Sequence, residues 1–147
     1  MYPRANVLGV LINDENKILL EEQVGTHSRG TGIFYRPLGG TIELGERSDE
    51  ALIREYKEEI GVDISITEYI ACLENIYRIE NQIGHEITQI YLVDFKEKTL
   101  YQEESFVVSE GSKITNAKWI ELEALFKDKM VLFPNGLTEL LAEKFNG

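Results

Sequence analysis

"GTIELGERSDEALIREYKEEIGV", residues 40–62, carries seven acidic side chains in one short run. Ser48 is a good N-cap, Asp49 and Glu50 suit the positive helix end, and Gly61 is a good terminator. These signals predict a helix over residues 49–60. On a wheel at about 100° per residue, Glu55, Glu58 and Glu59 share one face, because positions i, i+3 and i+4 are neighbours. Leu52, Ile53, Tyr56 and Ile60 form a separate apolar arc that can dock on a sheet, and Glu50 and Lys57 take the solvent side. Two explanations of the acidic face compete. One is a solvated surface in which Arg54 pairs with Glu58, worth about 0.3 kcal/mol. The other is an oxygen cage for a hard cation such as Mg²⁺.

Outward from the helix, "ANVLGVLI" and "KILLEEQ" read as two strands, roughly 5–12 and 17–23, joined by the turn-rich "NDEN". "VGTHSRGTG" reads as a flexible polar loop suited to covering a site. "IFYRPLGGTIE" is extended, with Gly39 and Gly40 marking a bulge or a close backbone approach. After the helix, "ISITEYIACLENIYRIE" and "HEITQIYLVDFKEK" are rich in β-branched and aromatic residues and predict two strands joined through "NQIG", with Gly84 in the turn. "YQEESFVVSEGSKITN" reads as a polar loop, "AKWIEL" as a short strand and "EALFKDK" as a short helix. "FPNGLTELLAEKF" closes the chain as an amphipathic helix beginning near Pro134. The expectation is an α/β fold of one domain, residues 1–147, with a mixed sheet covered on both faces.

The chain has 147 residues, 43% of them hydrophobic, and a formal net charge of -11 without any block of lysines or arginines. That balance disfavours duplex nucleic acid as a partner, because phosphate neutralisation needs clustered cations. It would also repel a phosphorylated small molecule unless metal ions or a few placed arginines reverse the sign locally. No segment approaches the roughly 20 apolar residues of a membrane span. The single cysteine, Cys72, suits a reducing compartment and reads as a small core side chain. A cytoplasmic protein without a membrane partner is expected, with a homodimer left open.

The spacing settles the competition. Gly40, five residues, Glu46, seven residues, then Arg54-Glu55-Tyr56-Lys57-Glu58-Glu59-Ile60-Gly61-Val62 resembles the Nudix box of the Nudix hydrolases. Seven fixed positions match by chance on the order of once in 10⁸ starting points. Only Tyr56 departs, where an aliphatic residue is usual. The resemblance implies an α/β/α sandwich with a mixed β-sheet between helices. It also implies hydrolysis of a nucleoside diphosphate linked to another moiety, with Mg²⁺ or Mn²⁺ as cofactor and a small-molecule nucleotide as substrate. By the match, Glu55, Glu58 and Glu59 would ligate metal, and Glu46 would add a ligand or an outer contact. Gly39 would offer a backbone carbonyl to the metal, and Arg54 would orient a glutamate. Glu55 is the first choice of general base, with Glu58 second.

Beyond the box, Glu86 lies in a region from which several Nudix groups send a glutamate to the metals; a solvated strand-edge acid is the plainer account. Glu103, Glu104 and Glu110 are further carboxylates from which a mobile loop could supply a base. Arg36 and Arg29 are candidates for phosphate contact, and His85 is either a turn residue or a phosphate contact. Asn135 resembles a base-reading asparagine of bacterial oxidised-guanine triphosphatases, or serves as a helix cap. Tyr77 lies near a tyrosine carried by members that act on dinucleoside polyphosphates, and the proline common in ADP-ribose-specific members is missing after the box. The competing function is a catalytically silent Nudix-fold domain that binds a nucleotide. Such domains usually lose box glutamates, and this chain keeps them all.

Overall fold

The computed structural model describes residues 2–127 and 130–145. Strands β1 (Arg4–Val10), β2 (Lys17–His27), β3 (Gly30–Arg36) and β4 (Leu38–Thr41) precede helix α1 (Ser48–Ile60). Then come β5 (Ile64–Ile79), β6 (Gln82–Phe95), a 3₁₀ turn (Lys98–Gln102), β7 (Ser105–Glu110), β8 (Lys113–Glu121), α2 (Leu122–Lys127) and α3 (Leu137–Phe145). The β layer is split into two four-stranded sheets, ordered β4-β1-β6-β5 and β3-β2-β8-β7. The first is mixed, since β1 runs parallel to β6 and antiparallel to β4.

Alternation along the strands builds two cores. Val7, Leu11, Leu19, Val93, Phe106 and Val108 face α1, whereas Leu8, Val10, Ile18, Leu20 and Ile90 face α2 and α3. Helices thus cover both sides of the β layer, the α/β/α arrangement expected. Tyr56 is fully buried, and its hydroxyl donates to the Gly9 carbonyl at 3.1 Å. A side chain at Gly9 would overlap that ring, so the helix can sit this close only because Gly9 has none. Ile53, assigned above to the apolar arc, is exposed; the buried set is Ala51, Leu52, Tyr56 and Glu59.

Several expectations are corrected. The N-cap of α1 is Arg47, whose backbone N–H donates to Glu50 at 2.9 Å; Ser48 lies inside the helix and pairs its hydroxyl with Tyr91. Gly61 closes the helix in the left-handed region at φ 70°, as expected of a C-cap glycine. The glycine-rich segment 24–32 is not a loose loop. It forms the far end of the β2–β3 hairpin, with Val24 opposite Ile33 and Gly25 opposite Gly32. The β5–β6 turn falls at Glu80 and Asn81, both at positive φ, one step before "IG". Gly84 therefore lies within β6, beneath the Tyr77 ring. Residues 105–116, read above as polar loop, form β7 and the first part of β8 in a hairpin, whose end coincides with the strand expected at "AKWIEL". Cys72 is exposed. Among the described residues no helix is long and apolar enough to cross a membrane.

Gly39 pairs with Leu8 at φ 153°, and a Cβ there would lie 2.0 Å from the Val7 carbonyl oxygen. Gly39→Ala should therefore cost about 3 kcal/mol of stability, from strained backbone plus overpacking. A denaturant melt checks this, and a midpoint within error of wild type would contradict the close packing of β4 on β1.

Candidate active site

A cleft of about 960 Å³ opens between the two sheets and the exposed end of α1. Arg54 is the hub of its acidic wall. Its Nε donates to Glu46 at 2.6 Å and its Nη2 to the other Glu46 oxygen at 2.9 Å, a two-pronged fork. The Nη1 group donates to Glu55 at 2.9 Å and to Glu58 at 3.0 Å, while Nη2 also reaches the Thr41 carbonyl at 3.1 Å. Hydrogen bonds from Arg54, and from the Glu43 backbone, hold the Glu46 carboxyl down at about 2. The same Glu46 contact raises Arg54 further above its ordinary value. Glu46 thus faces Arg54, which makes it an orienting partner of the other glutamates rather than an open ligand.

Glu55 stands against the backbone of Gly40, where a Cβ would lie 2.6 Å from the carboxyl carbon. Its carboxyl is raised by burial, against the lowering pull of Arg54. Glu59 differs from its helix neighbours: it is only 3% exposed, and its Oε1 has no hydrogen-bond partner among the described residues. Burial, then the facing carboxyl of Glu110, then the charge of Glu55 push it up to about 9. Oxygens of Glu55, Glu59 and Glu110 lie within 4.8 Å of one another. Glu110 arrives by strand alternation. It sits on the same face of β7 as Phe106 and Val108, the face packed on α1. Period-two patterning in "SFVVSE" was the available signal. Glu21 went unnoticed although it follows Leu19 on the core side of β2. It is buried, accepts from Thr115, and lies 3.5 Å from Arg36.

The remaining candidates divide by position. Glu58, half exposed, lines the cleft beside Glu55, as do Arg36 and Asn135. Glu86 also lines it, but its carboxylate is engaged by Tyr77 at 3.2 Å and Arg4 at 3.4 Å, apart from the close acidic trio. His85 is corrected: it is adjacent to Glu86 on β6, pairs across from exposed Ile76, and is not among the cleft-lining residues. Arg29 is corrected too. Its guanidinium donates to the Leu132 carbonyl at 2.8 Å and lies over the Phe133 ring, outside the cleft wall. Asn135 is not the cap of α3, which begins two residues later at Leu137; its backbone carbonyl accepts from Asn75 at 3.1 Å. Gly39 is enclosed by Val7 and Leu8, and its neighbour Gly40 is the glycine that lines the cleft.

The trio imposes a pH dependence on the metal-free fold. Glu59 is raised from 4.5 to about 9, so the folded chain keeps a proton that the unfolded chain releases between those limits. Stability in chelator should therefore fall as pH rises from about 5 to about 9, and Glu55 acts in the same sense. Glu59→Gln should flatten much of that fall. Thermal melts across this range check it, and parallel wild-type and variant profiles would contradict the buried, uncompensated carboxyl.

The geometry agrees with comparisons to known proteins. The NUDIX domain family matches residues 2–141. The chain is similar to the NAD-capped RNA hydrolase NudC of Vibrio atlanticus (strain LGP32), 26% identical over 125 residues, covering 84% of this chain and 40% of that protein. It is similar to the ADP-ribose pyrophosphatase of Methanocaldococcus jannaschii, 32% identical over 94 residues, covering 64% of this chain and 52% of that one. The chain thus spans about half or less of the length of these relatives. Its fold is similar to the MutT NUDIX hydrolase from Burkholderia pseudomallei, with a TM-score of 0.67 at 19% identity over 99% of both chains. With the family matched across nearly the whole length and the box residues Gly40, Glu55, Glu58 and Glu59 lining one cleft, this chain belongs to the Nudix domain family.

Proposed function

We propose that this protein is a divalent-cation-dependent pyrophosphohydrolase that cleaves the phosphoric anhydride of a nucleoside diphosphate linked to a second group, by attack of water on phosphorus. The convergence of Glu55, Glu59 and Glu110 within 4.8 Å carries this reading. Three carboxylates so close, one buried with an unpartnered oxygen, form a site short of positive charge. An all-oxygen donor set of this kind fits Mg²⁺ or Mn²⁺. Glu59 and Glu110 would hold the cation, with Glu55 at its edge and Glu58 beside it. When bound, the cation supplies neutralisation of the phosphate oxygens and a better nucleophile from water at neutral pH.

The protein's own groups do the rest. Arg54 fixes Glu46, Glu55 and Glu58 in one orientation, so the acidic wall is preorganised before substrate arrives. It engages Oε1 of Glu55, leaving Oε2 to accept a proton from the attacking water. Arg36, which also lines the cleft, would meet phosphate oxygens with its guanidinium. The silent-domain alternative is disfavoured by the intact set of box glutamates. Action on capped RNA, named for one relative, is opposed by the net charge of -11 and the lack of a basic stripe in the sequence.

With Mg²⁺, ³¹P NMR of a nucleotide panel should show anhydride cleavage, and excess chelator should abolish it. Glu59→Gln should lower kcat by about 10²–10³-fold, the scale of removing one directly stabilising group. Arg54→Lys should lower it by about 10–100-fold, since a lysine cannot hold Glu46 by two prongs while reaching Glu55. Undiminished turnover in chelator, or near-normal turnover by Glu59→Gln, would exclude this mechanism.

A further inference from the structure

Away from the acidic wall, the floor of the cleft holds two polar side chains that the protein leaves unpaired. Asn6 on β1 and Thr88 on β6 are register partners on neighbouring parallel strands, and both line the cleft. They are 8% and 1% exposed, and neither Asn6 Oδ1 nor Thr88 Oγ1 has a hydrogen-bond partner among the described residues. Ser28 Oγ and Arg36 Nε, elsewhere on the cleft lining, also lack a hydrogen-bond partner among the described residues, but the strand neighbours of Asn6 and Thr88 are satisfied. Thr41, opposite Asn6 on β4, accepts from Arg4 at 3.1 Å. One row along, Glu86 is held by Tyr77 and Arg4, and Asn75 donates to the Asn135 carbonyl. Buried polar atoms are normally paired, so two orphans side by side on a cleft floor call for a ligand that pairs them.

We propose that Asn6 and Thr88 are specificity-determining residues that read the hydrogen-bonding edge of a nucleobase at the organic end of the substrate. The proposal rests on the function proposed above and names which end of the substrate lies where. An amide and a hydroxyl on strands about 4.8 Å apart can converge on neighbouring groups of one ring edge. The orphan Asn6 oxygen is an acceptor and needs a donor. A phosphate oxygen offers none, so the phosphate end belongs to the acidic wall and Arg36, and the floor takes the other end. The Watson–Crick edge of every common nucleobase sets a donor beside an acceptor, which suits this pair. Phe34 and Phe133, 5.7 Å apart edge to face, line the same cleft and supply the aromatic surface a flat ring requires.

The test is calorimetric binding of the four common nucleoside 5′-monophosphates and of ribose 5-phosphate, alongside ³¹P NMR turnover and melting in chelator. Wild type should bind at least one nucleotide about tenfold or more tighter than ribose 5-phosphate, which separates base contact from sugar contact. Thr88→Val and Asn6→Leu should each weaken that nucleotide about tenfold or more. Both should leave the affinity for Mg²⁺-pyrophosphate unchanged. Thr88→Val should also raise the melting temperature by a few degrees, because a methyl replaces an orphan hydroxyl. A merely structural Thr88 would instead melt earlier as Val and weaken ribose 5-phosphate as much as the nucleotide, which would overturn the proposal. If wild type cleaves nucleotides but both variants keep its base preference, the floor assignment falls and the hydrolase function stands. If wild type cleaves none, both fall.

Discussion

One guanidinium allows the acidic wall to exist. Glu46, Glu55, Glu58 and Glu59 lie within fourteen consecutive residues, and like charges this close would splay the helix end and its preceding loop. Arg54, charged at every accessible pH, gives two prongs to Glu46 and one nitrogen to Glu55 and Glu58 together. Glu46 and Thr41 reach back to the same group from outside the helix, so the fork also ties the loop before α1 to the helix body. The one box glutamate outside its reach is Glu59, which is the buried one. Positive charge is thus supplied where the wall must be rigid and is missing at the Glu59 carboxyl, where we propose that a cation binds.

The fold delivers the remaining parts by packing. Tyr56 pressed over Gly9 sets the depth of α1 on β1, and Gly40 leaves room for the Glu55 carboxyl against β4. From the other sheet, Phe106 and Val108 dock on α1 and carry Glu110 to the end of the same face. Glu21, also buried, is held by Thr115 with Arg36 nearby, which keeps its carboxyl fixed on the core side of β2. These contacts come from six strands drawn from both sheets, so the site forms only once both sheets are assembled.

What the sequence revealed follows from which constraints are local. The extent of α1, its Gly61 stop and the spacing of its glutamates depend on one helical period, and were legible. The first two strands were legible from their apolar runs. Segments that looked loose failed for a common reason: "VGTHSRGTG" and "YQEESFVVSEGSKITN" are polar, yet cross-strand pairing orders both. Glycine and serine content masked the alternation of Phe106 and Val108, and with it the position of Glu110. Residues whose placement depends on register, such as His85 turned away from the cleft while Glu86 lines it, could not be assigned until the β5–β6 turn was located. Arg29 was misread because its partners, Leu132 and Phe133, lie about a hundred residues further on.

The proposal that Glu55, Glu59 and Glu110 together form a cation site can be checked on the protein alone. Titration of Mn²⁺ into wild-type, Glu59→Gln and Glu110→Gln protein, followed by electron paramagnetic resonance of free Mn²⁺, tests it without any substrate. Wild type should remove Mn²⁺ from solution at a saturable site, and each substitution should weaken that site about tenfold or more. Equal Mn²⁺ uptake by all three proteins would contradict it.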